Sequence, residues 1–249
     1  MESILLADLS MESDQGENET LNLGKNMTDV DPGPSNQAVP ELLQEEEDAT
    51  RVRIAVGGEM YLELMQYIDS RGKRGVSSIF WDGGLGLLRY ISDFYGHDWK
   101  HVTVLDIGAG TGLVGIGTAA ASQGQAVVAV TGTLQTMPLL YSNIKMNRKN
   151  WAPYGESSYR PPEARVLEWG QPISKEWIRL FLDRGSLATT GEDRTIIVTG
   201  ADVVNRKSLF GPLLATLCEL TTRVREFTDK RIAKLECLLA VQSTCIHVS

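Results

Sequence analysis

"VLDIGAGTGLVGIG", residues 104–117, opens as an apolar strand, passes an aspartate, and then places glycine at alternate positions before a run of small residues. Glycine at such a turn permits left-handed backbone and lets a ligand come close to the main chain. The stretch therefore reads as a strand, a binding turn and the start of a helix. Outward from it, strand-like and helix-like segments alternate. "RVRIAV" has strand periodicity, and from Gly83 onward Leu85, Leu88, Ile91 and Tyr95 share one side of a helix. "HVTVLDIGAG" is a buried strand and "TGLVGIGTAAASQG" its helix. "QAVVAVTG", "ARVLEWG", "DRTIIVTGADVV" and "KLECLLAVQ" are further strands, with helices at "LQTMPLLYSNIKMN", "KEWIRLFLDRG" and "SLFGPLLATLCELTTRVREF". Short, continuously apolar strands alternating with helices predict an α/β fold with a doubly wound parallel sheet covered on both faces. Ligands on such sheets bind outside the carboxyl ends of the strands.

Two cofactor classes compete for the glycine turn. The dinucleotide fingerprint G-x-G-x-x-G is present as Gly110, Gly112 and Gly115, a weak signal alone. The other spacing, acid-x-G-x-G-x-G, runs from Asp106 through Gly108, Gly110 and Gly112 and suits S-adenosylmethionine (SAM). SAM carries a charged amine that a carboxylate at the strand end can orient, whereas the same carboxylate would repel a pyrophosphate. Asp106 favours SAM. A plain strand–turn–helix junction would leave the third glycine unexplained.

The chain has 249 residues and a net charge of −8, distributed unevenly. Residues 1–50 hold 13 acidic residues, one lysine and no aromatic residue, while the remainder carries +4. A segment so poor in apolar surface cannot offset its ordering entropy. Residues 1–50 are therefore expected to be a disordered acidic tail, with one domain over residues 51–249. No basic stripe suggests a nucleic-acid partner. Cys218, Cys237 and Cys245 lack metal-site or disulfide-framework spacing, so no metal is expected. The N-terminus has neither the charge nor the apolar run of a signal peptide, and no stretch of about 18 apolar residues suggests a membrane span. The expected compartment is the cytoplasm, with the nucleus as the alternative.

Five stretches, "IFWDGGLGLLRYI", "VLDIGAGTGLVGI", "MPLLYSNIKMN", "VLEWGQP" and "GADVVNRKSLFGPLLATL", together resemble in order and spacing the seven-β-strand protein-lysine methyltransferases of the methyltransferase-16 group. That group includes enzymes acting on elongation factors and chaperones, and fungal nicotinamide N-methyltransferase-like relatives. The resemblance spans residues 77–240 and implies a Rossmann-like SAM-methyltransferase sheet. It also implies roles. Trp81 would wall the cofactor pocket, and Gly108, Ala109 and Gly110 would pass under the methionine moiety. Trp169 would pack near the adenine, Ala201 would offer a backbone contact, and Asp202 would stand at the methyl-transfer mouth. The implied reaction is in-line transfer of the sulfonium methyl to a neutral lysine amine of a protein, accelerated mainly by proximity and orientation.

Three departures from the family pattern carry consequences. Gly132 stands where an aspartate would hold the ribose hydroxyls, a contact worth about 1.5–3 kcal/mol, unless Thr131 or Thr133 supplies an oxygen. Asn205 replaces the tyrosine of the family's Asp-x-x-Tyr. The sheet is expected to lack the C-terminal strand hairpin, leaving its fifth parallel strand as an edge. The alternatives are a catalytically weak methyltransferase-like binding protein and a small-molecule N-methyltransferase.

Overall fold

The computed structural model describes residues 49–57, 60–67, 81–95, 98–151, 160–186, 194–203, 206–227 and 232–240. Of the acidic tail expected over residues 1–50, the described part is Ala49 and Thr50, which lie in a strand; the rest of it, and the expectations for Asn205, for Cys245 and for a C-terminal hairpin, concern residues outside these. The chain begins with an antiparallel hairpin, β1 (Ala49–Gly57) and β2 (Met60–Tyr67). Only its first strand is expected from the sequence, yet the second carries its own period-two signal, burying Leu62, Leu64 and Gln66 on one face.

After α1 (Asp82–Tyr95), strands and helices alternate as predicted: β3 (Val102–Asp106), α2 (Leu113–Ala121), β4 (Val127–Gly132), α3 (Met137–Met146), β5 (Glu163–Val166), α4 (Lys175–Ser186), β6 (Arg194–Ala201), α5 (Phe210–Phe227) and β7 (Ile232–Ala240). The five strands β3 to β7 form one parallel sheet in the order β5-β4-β3-β6-β7. This is the doubly wound architecture. Among the described residues β7 is paired on one side alone.

Alternate strand residues feed two cores, one on each face of the sheet. Val104, Val128, Val130 and Ile197 face the layer of α1, α2, α3 and the hairpin. Leu105, Val127, Ala129, Ile196 and Val198 face α4 and α5. Because both faces are covered, the strands read as unbroken apolar runs. α1 buries Gly84, Leu87, Leu88 and Ile91, while Leu85 and Tyr95 flank that stripe half-buried.

α2 lies unusually close to its neighbours. A Cβ at Gly115 would run into Val130 of β4, and one at Gly117 would run into Leu88 of α1. Side chains at either position would force α2 off the sheet or off α1, at a cost of about 1–3 kcal/mol for overpacking. These two glycines are therefore packing residues.

Candidate functional site

The chain builds β4 and β5 to one side of β3, then returns to build β6 and β7 on the other. Loops leaving β3 and β6 diverge at this switch point and open a crevice at the carboxyl ends of the strands. A cavity of about 520 Å³ lies there, a size suited to a small-molecule cofactor. Every residue that the sequence assigned to the cofactor or to catalysis lines it: Trp81, Asp106, Gly108, Ala109, Gly110, Trp169, Ala201 and Asp202.

The floor is the turn after β3. The Ile107 amide donates to the Thr199 carbonyl of β6 and the Ala109 amide to the Thr131 carbonyl of β4, both at 2.8 Å. The turn is thus tied to both neighbouring strands. Gly108 and Gly110 take φ of 64° and 57°, the left-handed region that costs an L side chain roughly 1–2 kcal/mol. Space imposes a second demand at Gly108, where a Cβ would stand 2.7 Å from Cζ2 of Trp169 and 3.1 Å from Cγ1 of Val203. The Trp169 indole therefore lies against bare backbone and forms one wall.

Gly112 is also left-handed, at φ 85°, but it is not among the residues that line the cavity. Its missing side chain makes room for Ile116 and for Leu140 of α3, whose Cδ2 would be 3.1 Å from a Cβ. Of the five glycines from Gly108 to Gly117, Gly108 and Gly110 line the cavity, Gly108 also making room for Trp169, and the other three serve packing.

Asp106 ends β3 fully buried. Its Oδ2 accepts the Gly115 amide at 2.9 Å and its Oδ1 accepts the Thr199 hydroxyl at 3.0 Å. The carboxylate thus caps α2 from below, satisfying one of the amides that the first helical turn leaves unpaired. Burial pushes its pKa up to about 7, against the opposing pull of the Gly115 and Thr199 donors. It combines helix anchoring with a place on the cavity lining, a double duty invisible in the sequence.

At the opposite wall, Trp81 is partly exposed and precedes α1, its carbonyl accepting the Gly84 amide at 3.0 Å. Asp202 follows β6 with φ 54°, a left-handed conformation uncommon outside glycine and asparagine-like residues. Its amide donates to the Ala240 carbonyl of β7 at 2.7 Å. The turned backbone brings the carboxylate over Gly83, into the space a side chain there would need. Negative charge at the first turn of α1 is favourable. Asp202 therefore couples the end of β6 to the turn that carries Trp81.

The end of β4 completes the site. Gly132 lies in extended backbone, its carbonyl accepting the Leu167 amide at 2.9 Å, and it lines the cavity. A Cβ there would fall on Oγ1 of Thr136, a hydroxyl that donates to the Thr133 carbonyl at 2.8 Å. Of the two threonines considered from sequence, Thr131 turns its hydroxyl to the Asp106 carbonyl at 3.0 Å and lies outside the cavity lining. Thr133 lines the cavity, as does Thr136. Thr136 was not legible as a site residue, because only the turn after β4 folds it back beside Gly132. Leu113, Leu167, Arg206 and Pro212 likewise reach the cavity from separate elements.

Among the described residues, no helix is long and apolar enough to cross a membrane, and no cluster of His, Cys, Asp and Glu is arranged to hold a metal ion. A family model described as lysine methyltransferase matches residues 63–228. The protein N-lysine methyltransferase METTL21A of Xenopus tropicalis is 28% identical over 149 residues, covering 60% of this chain. The chain spans 57% of the length of that relative.

Proposed function

This chain belongs to the lysine methyltransferase family, and from that premise we propose that it is a SAM-dependent methyltransferase acting on the lysine amine of a protein. One observation carries the reading: the paired left-handed glycines, Gly108 and Gly110, lie on the cavity floor, with the Trp169 indole against Gly108. Such a floor suits a flat, partly apolar ligand pressed against main chain.

The residues present fit SAM. Gly108 to Gly110 would lie under the methionine portion, with the buried Asp106 carboxylate the acidic group on that side of the cavity. Trp169 and Leu167 offer apolar surface for the adenine, and Thr133 and Thr136 offer oxygens beside Gly132. Trp81 and Asp202 stand together at the wall formed by α1 and the end of β6, where an incoming amine would be confined. When bound, SAM supplies an electrophilic methyl group. The protein's own contribution is alignment: Asp202 holds the Trp81 turn in place and accepts a hydrogen bond from the acceptor amine, while the apolar walls exclude water.

Calorimetric titration of the full chain with SAM, S-adenosylhomocysteine and NAD tests the cofactor. Saturable binding of the first two and none of NAD is expected; the reverse removes the reading. Transfer is tested with methyl-labelled SAM and a protein extract, followed by hydrolysis. Label in methyllysine supports the proposal, and label in a small amine moves the acceptor to the small-molecule class.

A second reading, a methyltransferase-like protein with weak catalysis, is favoured by Gly132, which offers no carboxylate to the ribose. Cofactor binding without turnover on any acceptor would favour it.

A further inference from the structure

Asn143, Asn147 and Asn150 project from α3 and the turn after it toward the outer edge of β2. Oδ1 of Asn143 accepts the Met65 amide at 2.7 Å and its Nδ2 donates to the Met65 carbonyl at 3.0 Å. Asn147 repeats the pattern two strand residues away, accepting the Glu63 amide at 2.9 Å and donating to the Glu63 carbonyl at 2.7 Å. Asn150 donates to the Tyr61 carbonyl at 3.0 Å. A carboxamide offers the same donor and acceptor as a peptide group. Four helical residues rise about 6 Å, close to the roughly 6.7 Å that two strand residues span. A row of asparagines on a helix can therefore act as a partner strand.

Asn143 and Asn147 are both fully buried; Oδ1 of Asn147 also accepts a long bond from Nδ2 of Asn150 at 3.4 Å, and the two buried residues differ in where their second donor contact goes. The second donor contact of Asn147 goes back to its own helix, to the Asn143 carbonyl at 2.8 Å. That of Asn143 goes to the Thr111 carbonyl at 2.8 Å. Thr111 lies between Gly110 and Gly112, in the turn that floors the cavity. The Ile107 and Ala109 amides tie the start of the turn to β6 and β4, and a fixed donor on the Thr111 carbonyl holds its far end.

We propose that Asn143 is a positioning residue for the cofactor-binding turn, joining Thr111 to Met65 so that the N-terminal hairpin and the glycine turn are ordered as one unit. The consequence for cofactor affinity rests on the SAM reading of the site; the joint ordering does not. The hairpin thereby contributes to the site without touching the cavity.

Asn143→Asp and Asn147→Asp form a matched pair. Each keeps the acceptor for a β2 amide and each loses two donor contacts, but only the first lets go of Thr111. Hydrogen exchange of the Ala109 and Gly112 amides, in the protein without cofactor, should accelerate in Asn143→Asp and not in Asn147→Asp. S-adenosylhomocysteine affinity should fall up to about tenfold in Asn143→Asp, the scale of one lost hydrogen bond, and stay near wild type in Asn147→Asp. Equal effects of the two substitutions on the turn amides, or none in Asn143→Asp, would overturn the proposal. If wild type bound no S-adenosylhomocysteine while the exchange pattern held, the cofactor reading would fail and the positioning role would stand. Should Asn143→Asp not fold, denaturant-dependent exchange of the wild type decides. Met65 and Gly112 should open together, with the same denaturant slope, and unequal slopes would refute the coupling.

Discussion

Restoring a carboxylate at the end of β4 tests the site most directly, and the structure says that Gly132→Asp alone is the wrong way to do it. Gly132 lies in extended backbone, so aspartate meets no dihedral strain. Its Cβ, however, would fall on the Thr136 hydroxyl. Thr136 must then rotate, giving up its 2.8 Å bond to the Thr133 carbonyl at a cost of about 1 kcal/mol in stability. Because one of the two side chains must shift, the new carboxylate is not free to settle toward a ribose. With Thr136→Ala, the nearest remaining atom is Cβ at 3.5 Å, an ordinary contact. A charged acceptor on a ribose hydroxyl is worth at least about 1.5 kcal/mol, or roughly tenfold in affinity. Wild type, both single variants and the double variant form a cycle that isolates this coupling. Titration with S-adenosylhomocysteine should give about a tenfold gain from Gly132→Asp when it is combined with Thr136→Ala, and a smaller one beside Thr136. Thermal melts should give a larger stability loss from Gly132→Asp beside Thr136. Equal gains in both backgrounds would mean that the Thr136 collision is irrelevant. No gain in the Thr136→Ala background would mean that no ribose hydroxyl comes within reach of Gly132.

Gly110→Val places a β-branched residue at φ 57°; it should abolish cofactor binding while far-UV circular dichroism stays near wild type, and retained binding would reduce the turn to a structural role. Asp106 has a folded pKa of about 7 against an ordinary 3.8, so folding takes up a proton between those values and wild-type stability should fall as pH rises from about 4 to about 8. Asp106→Asn cannot ionise, and in urea unfolding its stability relative to wild type should therefore rise by a few kcal/mol over that window; a flat difference would show that Asp106 ionises like a solvated carboxylate. Gly83→Ala should drive the Asp202 carboxylate from its place over α1 and lower both melting temperature and cofactor affinity, whereas Gly86→Ala, with nothing within 4 Å of its Cβ, should do neither. Removing residues 1–48 is expected to leave the melting temperature unchanged, and a clear fall would show that the acidic segment supports the domain.

The parallel sheet was legible in the sequence because strands covered on both faces must be apolar throughout, and "VTVLD", "VVAVTG" and "RTIIVTGA" are nearly so. The place of the site was legible too, since a doubly wound sheet leaves its crevice at the strand ends and the glycine turn follows the central strand. Hairpin strand β2 had a readable alternation at Leu62 and Leu64, but its docking did not, because its edge is paired by asparagines roughly eighty residues away. The glycines between 108 and 117 look alike in sequence, yet Gly108 and Gly110 face the cavity while Gly112, Gly115 and Gly117 make room for Ile116, Val130 and Leu88. Asp106 reads as a ligand-facing carboxylate, and only the fold adds its bonds to α2 and β6. Local pattern is set by backbone geometry that repeats every two or 3.6 residues, so one chain segment reveals it. What fills the space beside Gly132 or Thr111 is set by side chains arriving from other elements, and that only the tertiary structure decides.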